Sequence, residues 1–502
     1  MRCRLLLPAV FSLLWSPTLF AAPIAKPVEW TIGGDTFAGV LVYDDAVKQP
    51  RPGLVMVPNW KGVNDSAIEK ARLVADPDGW HLLRGLGADR IEQSVAQFRR
   101  IPNLFEIVAY DYWRLNYGFE PGREAREHHD RYLSSEPGRA HVERMVRTRA
   151  MAGGMSEAEW AGLTTHDKAQ RAMSFFAGTH DVIVARRHFV EGATTTDQLA
   201  GSGSLTPDEH AAYIRFTVEA LRSLYDANRY ARFVAVFQNW LRPAGASFDH
   251  LHKQLVAVDE RSVRTEHELR RLRDNLNLYN EFAVDYAARQ NLIVAENPYA
   301  VAFAGFGHRY PSLEIYSKSE FARPWEQPAE DLRGFSDLLH ACHAATGAAV
   351  PSNEEWHYQP PDVDLPMPWR TVLKWRVSTL AGFEGGTKIY LNTIDPWHLR
   401  DRVVRELFVL REHGRIAPDL KIATECTCRP NSLKYNPLLH WSRARALPIF
   451  VITSLSESNT RPNSRAHLRK NNGVIPRITR LSFLKPGVSQ RDWSERCFAC
   501  DE

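Results

Sequence analysis

The sequence predicts an α+β protein with mainly antiparallel sheets and flanking helices, arranged as two related halves. Short apolar or alternating runs such as "ARFVAVFQNW" (231–240) have the length and composition of strands. The connections between neighbouring runs are mostly too short for parallel crossovers, and the helical segments stand apart from the strands. A strand–helix–strand order recurs after residue 290, although no plain sequence repeat is visible.

Composition and charge exclude several classes of protein. The 502 residues suffice for two or three domains, and 44% hydrophobic with 24% charged residues is typical of a soluble globular protein. The 63 basic residues are nearly balanced by 59 acidic ones, so the net charge of +4 indicates no nucleic-acid partner. Six cysteines are too few to staple this fold, and neither Cys426–Cys428 nor Cys497–Cys500 has a matching pair at zinc-ribbon spacing.

The N-terminal segment 1–22 reads as a signal peptide. Arg2 and Arg4 precede the apolar stretch 5–20, and Ala21–Ala22 offer a small-residue cleavage site. Prolines within the stretch argue against a buried helix or strand. No other apolar run is long enough to span a bilayer, so no membrane partner is expected after processing.

Residues 23–76 predict a strand pair, a buried strand and a helix. The run "VEWTIGGDTFAGVLVYDD" alternates around Gly33–Gly34, "PGLVMVPNWKG" is a short buried strand, and "DSAIEKARLVA" begins a helix. This stretch resembles the opening of dienelactone hydrolases, which are α/β-hydrolases. Neither G-x-S-x-G nor G-x-C-x-G occurs in the chain, so we interpret 23–76 as a truncated fragment without its own nucleophile.

Residues 90–290 form the predicted first half. Its elements are a strand in "FRRIPNLFEIVAYDYW", a helical stretch over 120–175, a strand in "THDVIVARRHF", a helix from Pro207, the strand 231–240 and a long charged helix over 259–290. The helix from Pro207 has the clearest start, because Thr206 and Glu209 form a capping box around a proline at the first helical position.

Residues 291–440 form the predicted second half. Its elements are strands in "NLIVAENPYAVAFAGF" and "SLEIYSK", a helix over 326–346, a strand pair "RTVLKWRVST" and "TKIYLNT", and the helix "DPWHLRDRVVRELFVLREHG". The remaining segment 441–502 is polar and interrupted by prolines, which predicts a disordered tail.

The stretch "NWLRPAGASFDHLHKQ" (239–254) holds the residues best suited to chemistry. In a strand, His250, His252 and Gln254 share one face, and such a polar face needs a polar ligand, a metal or solvent. Neutral imidazole is a competent nucleophile near neutral pH when one nitrogen is free and the other is held. Ser247 and Gln254 are candidate hydrogen-bond donors to a phosphate. A solvent-facing strand with two incidental histidines is the alternative.

This stretch resembles the active-site segment of galactose-1-phosphate uridylyltransferases, in the histidine-triad superfamily. That family carries an Asn, then Gly-x-Ser, then His-x-His-x-Gln. The matching residues here are Asn239, Gly245, Ser247, His250, His252 and Gln254. Further segments match in order, including "RIPNLFEIV", "GTHDVIVARRHF", "FGHRYP" and "TLAGFEGGTKIYLNTIDP", so that the resemblance covers about 95–440 and matches an uncharacterised bacterial branch.

The resemblance implies two histidine-triad-like halves and a role for each matched residue. His252 would be the nucleophile that forms a covalent nucleotidyl-histidine, and Gln254 would bind the phosphate. Asn239, Gly245 and Ser247 would contact the nucleotide and phosphate. The implied substrates are a nucleotide sugar and a sugar 1-phosphate, and the implied assembly is a homodimer. A phosphorylase or adenylyltransferase is the close alternative, and a non-catalytic nucleotide-binding relative is another.

The chain departs from the family at its metal sites. His188 and His250 match two zinc ligands, but the N-terminal Cys-x-x-Cys that completes the site is missing, so an incomplete zinc site is expected. Where some relatives place a second metal on an H-x-H, this chain reads Pro368-Trp369-Arg370, and no second metal is expected. Arg370 would supply charge there instead.

The predicted cellular location and the predicted chemistry disagree. The family implies a cytoplasmic enzyme, whereas segment 1–22 indicates a periplasmic or secreted protein. An exported α/β-hydrolase is therefore a further alternative, indicated by the N-terminal segments alone.

Overall fold

The computed structural model describes residues 24–32, 35–43 and 84–439. The signal-peptide-like segment 1–22, the strand and helix predicted within 44–83, and the tail 441–502 lie outside the described residues. Among the helices that are described, none combines the length and the apolar character that crossing a membrane requires.

The first described element is a separate hairpin. Strand β1 (Ile24–Ile32) pairs antiparallel with β2 (Asp35–Tyr43), in the register Ile24 opposite Tyr43. This pairing confirms the strand pair predicted around Gly33–Gly34. Period-two alternation on both sides of a glycine pair favours such a hairpin.

The body of the protein is one ten-stranded sheet, in the order β12-β7-β8-β9-β11-β10-β5-β6-β4-β3. Every neighbouring pair is antiparallel. The strands are β3 (Phe98–Pro102), β4 (His180–Ala185), β5 (Phe233–Trp240), β6 (His252–Val258), β7 (Ile293–Glu296), β8 (Ala300–Ala304), β9 (Ser312–Ser317), β10 (Ser352–His357), β11 (Arg370–Trp375) and β12 (Lys421–Ile422).

The predicted halves meet within this sheet. Strands β3 to β6 come from 90–290 and β7 to β12 from 291–440, and they join where β5 pairs with β10, with Asn239 opposite Asn353. The prediction of an α+β fold with mainly antiparallel strands is confirmed. The boundaries drawn for the two halves remain a prediction, since the shared sheet continues through them.

Twelve α-helices are described alongside the sheet. They are α1 (Ala88–Gln93), α2 (Tyr110–Tyr117), α3 (Arg123–Ser134), α4 (Glu136–Ala152), α5 (Glu157–Ala161), α6 (Thr165–Ala172), α7 (Pro207–Ala227), α8 (Val263–Asp274), α9 (Asp285–Arg289), α10 (Ala329–Thr346), α11 (Gly382–Thr387) and α12 (Pro396–Glu412). Helix α7 begins as predicted, with Thr206 and Glu209 forming the capping box. It packs against α10, and both contribute to the main hydrophobic core.

Helices α2 to α6 form an insertion between β3 and β4. Helices α3 to α6 enclose a second, smaller core around Tyr132, Val142, Trp160 and Phe175, whereas Trp113 of α2 belongs to the main core. This helical insertion lies beside the loop that follows β3, and that loop contacts His180.

Three sequence predictions need correction. The strand in "FRRIPNLFEIVAYDYW" ends at Pro102 and gives way to a loop and α2. The helix predicted over 259–290 is broken after α8, because Asn275 adopts an extended conformation and its Oδ1 accepts the Asn277 N–H at 2.9 Å, which competes with helical bonding. "TKIYLNT" forms no strand, because both edges of β11 are already paired, with β9 and β10.

Candidate active site

Strand β6, which lies between β5 and β4, carries the motif. It begins at His252, which pairs with Val184 of β4, while Gln254 lies opposite Val182 of β4 and Phe237 of β5. Alternation places His252 and Gln254 on one sheet face and Lys253 on the other. His250 precedes the strand, so only two of the three predicted side chains share a strand face.

The tautomer of His252 is set by the backbone. Its Nδ1 lies 2.7 Å from the carbonyl oxygen of His250. A carbonyl oxygen only accepts, so Nδ1 carries the hydrogen and the lone pair resides on Nε2. The ring is 2% exposed and stacks on Phe248, with 4.3 Å between the centroids. Burial lowers the pKa of His252, which favours the neutral, nucleophilic imidazole.

The turn between β5 and β6 is held by its own backbone. Leu241 has φ of 66° and Gly245 has φ of 87°. The Ala244 N–H donates to the Leu241 carbonyl at 3.0 Å, and a Cβ on Gly245 would meet nothing within 4 Å. The glycine is therefore needed for its left-handed conformation rather than for space. Gly245 and Ser247 are exposed at the outside of this turn.

Two carboxamides share the sheet face of His252, since Phe237 lies opposite Gln254 and alternation puts Asn239 on the same side, and both have their oxygens already engaged. Asn239 Oδ1 accepts from Asn353 Nδ2 at 2.7 Å. Gln254 Oε1 accepts from His180 Nε2 at 3.1 Å, and Asn103 Nδ2 is 3.5 Å from the same oxygen. Each amide thus keeps its NH₂ group for another acceptor. Two NH₂ donors beside a neutral imidazole suit an electrophile that carries negative oxygens.

Sequence reasoning gave no role to His180 and Asn353. The pattern "GTHDVIV" shows that His180 alternates with Val182, but only the pairing of β4 with β6 shows that this face is the one that carries Gln254. Asn353 is separated from Asn239 by more than one element in the chain, and nothing in its local sequence marks it.

His188 and His250 come together as the resemblance implied. Their Nδ1 atoms are 2.9 Å apart, the ring centroids are 4.9 Å apart, and His250 Nε2 lies 2.6 Å from the Ala185 carbonyl oxygen. Within 84–439 and the hairpin strands, no group of three or more His, Cys, Asp or Glu side chains is placed to hold a metal. The described residues therefore bring two candidate ligands together, and the incomplete zinc site remains a prediction. Cys497 and Cys500 lie outside them.

The position expected to carry a cation in place of a second metal holds a buried ion pair. The Arg370 guanidinium bonds the Glu268 carboxylate, which also accepts from Arg264 at 3.1 Å. Burial opposes charge on Glu268, but Arg370 and Arg264 lower its pKa to about 2. Arg370 thus neutralises an internal carboxylate, so its charge is directed into the protein.

The chain is similar to a protein family, to a characterised sequence and to several solved structures. The family model described as "Domain of unknown function (DUF4921)" matches residues 60–435. An ADP-glucose phosphorylase of Arabidopsis thaliana is 27% identical over 184 residues, which is 35% of this chain and 52% of that protein. The match therefore spans about half the length of this curated relative.

Solved structures with a related fold include a GalT-like protein of Arabidopsis thaliana and a uridylyltransferase. The first is 19% identical, with a TM-score of 0.39, over 45% of this chain and 74% of that chain. The second is 18% identical, with a TM-score of 0.39, over 46% of this chain and 78% of that chain. The chain is thus similar to proteins of the group that its motif resembles. The family match begins at residue 60, and the dienelactone hydrolase interpretation of 23–76 remains a prediction.

Proposed function

The chain belongs to the DUF4921 family, and we propose that it is a nucleotidyltransferase that moves a nucleoside monophosphate between a nucleotide sugar and a phosphate-bearing acceptor. The observation that carries the proposal is the presentation of His252. Its Nδ1 is committed to the His250 carbonyl, its ring is neutral, and its Nε2 lone pair lies on the face that carries Asn239 and Gln254.

The first step is attack on the nucleotide sugar. His252 Nε2 forms a bond to the α-phosphorus, the bond from that phosphorus to the bridging oxygen breaks, and the sugar 1-phosphate leaves with the electron pair. The NH₂ groups of Asn239 and Gln254 would donate to the phosphoryl oxygens, whose charge shifts in the transition state. Ser247, on the exposed turn, is a further donor.

The second step reverses the first with a new acceptor. A phosphate oxygen of a second sugar 1-phosphate attacks the phosphorus, the phosphorus–Nε2 bond breaks, and the neutral imidazole is restored. Because the two half-reactions share a covalent intermediate, the proposal predicts ping-pong kinetics. No step uses a metal.

A phosphorylase is the second candidate, and the similarity to an ADP-glucose phosphorylase favours it. The first step is unchanged, but inorganic phosphate is the acceptor and a nucleoside diphosphate is released. The two candidates differ in the acceptor that discharges the intermediate.

The test is to trap the intermediate. Full-length protein is incubated with UDP-glucose or ADP-glucose labelled at the α-phosphate, and acid-labile label on the protein is measured. We expect label on His252 in the wild type, none in His252→Ala, and unchanged labelling in His413→Ala, whose exposed ring bonds the Val409 carbonyl of its own helix. Adding galactose 1-phosphate or inorganic phosphate then distinguishes the two acceptors.

Label that persists in His252→Ala would refute the nucleophile. Thermal stabilisation by a nucleotide without label would instead support a non-catalytic binding protein. Hydrolysis of a p-nitrophenyl ester that survives His252→Ala would support the α/β-hydrolase alternative.

A further inference from the structure

His180 joins the predicted phosphate-binding amide of Gln254 to the loop that leads into the helical insertion. It is the first residue of β4 and is 1% exposed. Its Nδ1 lies at the Ile107 N–H in the loop that follows β3, and its Nε2 lies near both Gln254 Oε1 and Asn103 Nδ2. His180 therefore lies beside the site although it is not part of the sequence motif.

The contacts of the ring determine its protonation. The backbone N–H of Ile107 points to His180 Nδ1 at 3.1 Å. A backbone N–H only donates, so Nδ1 carries the lone pair and Nε2 carries the hydrogen. Burial lowers the pKa of His180, which keeps this neutral form. Nε2–H therefore donates to Gln254 Oε1 at 3.1 Å.

This bond fixes the direction of the Gln254 amide. A terminal carboxamide turns through a broad, roughly two-fold torsion, so an isolated glutamine exchanges its oxygen and nitrogen easily. His180 Nε2 makes the closer contact with Oε1, at 3.1 Å, whereas Asn103 Nδ2 lies 3.5 Å from Oε1 and 3.0 Å from the same ring nitrogen. The oxygen is thereby held toward β4 and β3, and the NH₂ group is turned away from them.

The loop that positions His180 is itself clamped. Arg149, on α4 of the helical insertion, donates from Nε to the Leu104 carbonyl at 2.7 Å and from Nη2 to the Asn103 carbonyl at 3.2 Å. Glu106 accepts from the Thr179 hydroxyl at 2.6 Å. The Asn103 N–H donates to the His180 carbonyl at 2.9 Å, which ties the loop to β4.

We propose that His180 is a positioning residue, which holds Gln254 with its NH₂ group toward the transferring phosphoryl group and is itself held by the insertion through Ile107. The inference rests on the proposed function. His180 touches no reacting atom; it acts by removing the alternative amide orientation, in which an oxygen would face the phosphate and repel it.

The test compares two variants in the labelling reaction. His180→Phe removes both ring contacts, whereas His180→Gln retains an acceptor for Ile107 and a donor for Gln254. We expect His180→Phe to lower the single-turnover rate of His252 labelling roughly ten- to a hundredfold with little change in nucleotide affinity, and His180→Gln to recover most of it. His129→Phe, at a buried histidine of the insertion, should label at the wild-type rate.

A double-mutant cycle separates positioning from general damage. In a Gln254→Ala background, replacing His180 by Phe should cause no further loss, because the amide that it orients is gone. If His180→Phe labels at the wild-type rate, or slows Gln254→Ala by the same factor as it slows the wild type, the inference is overturned. An unlabelled wild type overturns the proposed function instead.

A measurement on the wild type covers the case of a variant that does not fold. Nitrogen-15 NMR of labelled histidines should show His180 protonated on Nε2 and bare on Nδ1. The opposite tautomer would overturn the inference, since Nε2 would then have no hydrogen to donate to Gln254.

Discussion

At the scale of single residues, hydrogen-bond direction decides the chemistry. The His250 carbonyl selects which nitrogen of His252 is nucleophilic, and Asn353 and His180 select which ends of Asn239 and Gln254 face outward. None of these three partners needs to touch a substrate. The reactive side chains would thus already be oriented when a phosphate binds, which lowers the reorganisation required in the transition state.

Replacing Asn353 by aspartate tests this at Asn239. Asn353 donates from Nδ2 to Asn239 Oδ1 at 2.7 Å and to the Ala244 carbonyl at 2.8 Å, while its Oδ1 accepts from Arg376 at 2.8 Å. Asn353→Asp keeps the acceptor but loses both donations. We expect Asn239 to turn its oxygen outward and the single-turnover labelling of His252 to slow by about tenfold or more.

The matched control is Asn353→Ser, which retains a hydroxyl donor without adding charge. It should label faster than Asn353→Asp. Equal rates for the two variants would mean that the direction of the Asn239 amide does not matter.

At the scale of elements, the local sequence pattern predicts where some helices begin, but it does not predict which strands pair. Helix α7 was predictable because Thr206, Pro207 and Glu209 define its start within a few residues of chain. The strand assigned to "TKIYLNT" was wrong because local composition contains no information on whether a free sheet edge exists. The His252 motif was predicted from its spacing together with the family resemblance, but His180 and Asn353 depend on cross-strand pairing that no local pattern shows.

The clamp from the helical insertion should be measurable in stability. Arg149 makes hydrogen bonds to two loop carbonyls and to Ser174 Oγ at 2.7 Å. A lysine has one compact ammonium group in place of the planar guanidinium group of arginine, which donates several hydrogen bonds in fixed directions. We expect Arg149→Lys to lower the free energy of unfolding by about 1–3 kcal/mol and to speed hydrogen exchange at Ile107, as followed by denaturant titration and exchange mass spectrometry.

Arg147 on the same helix provides the comparison. It pairs with Glu157 at the surface, at 2.6 Å, with half of its side chain exposed. Arg147→Lys should change the unfolding free energy by less than about 0.5 kcal/mol. A similar loss in both variants would assign the effect to α4 as a whole rather than to the clamp.

Acid should weaken the connection between β7 and the segment near Thr427. Glu296 accepts from Lys318 Nζ at 2.7 Å and from the Thr427 hydroxyl at 2.8 Å. Burial raises the pKa of Glu296, but Lys318 and Thr427 outweigh it and lower the pKa from 4.5 to about 2. A depressed carboxyl pKa stabilises the fold above the unfolded value, and that contribution is lost as pH falls from 4.5 toward 2.

Glu296→Gln should therefore lower stability by roughly 2–3 kcal/mol at neutral pH. The difference between variant and wild type should shrink on acidification through this window, when both are unfolded with urea at a series of pH values. A difference that stays constant with pH would show that the carboxylate charge contributes nothing.

At the scale of the whole molecule, a buried ion pair spans the junction of the two predicted halves. Lys253 on β6 and Glu354 on β10 are both fully buried, and they bond across the intervening strand β5. His343 Nε2 lies 2.8 Å from Glu354, and Trp356 Nε1 donates to it at 2.6 Å. Lys253 is also the immediate neighbour of His252, so the same strand carries the junction on one face and the proposed nucleophile on the other.

Removing one member of this pair should be costly. Lys253→Met leaves the Glu354 carboxylate buried without its cation, for which we expect a loss of about 3–5 kcal/mol in the free energy of unfolding. The double variant Lys253→Met/Glu354→Gln removes the charge while keeping an acceptor for Trp356, and it should recover much of that loss in a urea titration. A double variant no more stable than Lys253→Met would refute the account.

The pairing of β5 with β10 has a consequence for synthesis on the ribosome. Until residues 352–355 emerge, the backbone N–H and C=O groups along one side of residues 237–240 have no strand to pair with. A nascent or prematurely terminated chain would display that bare ladder and invite association with other chains. The sheet edge beside the strand that carries His252 is therefore completed late, by the last third of the polypeptide.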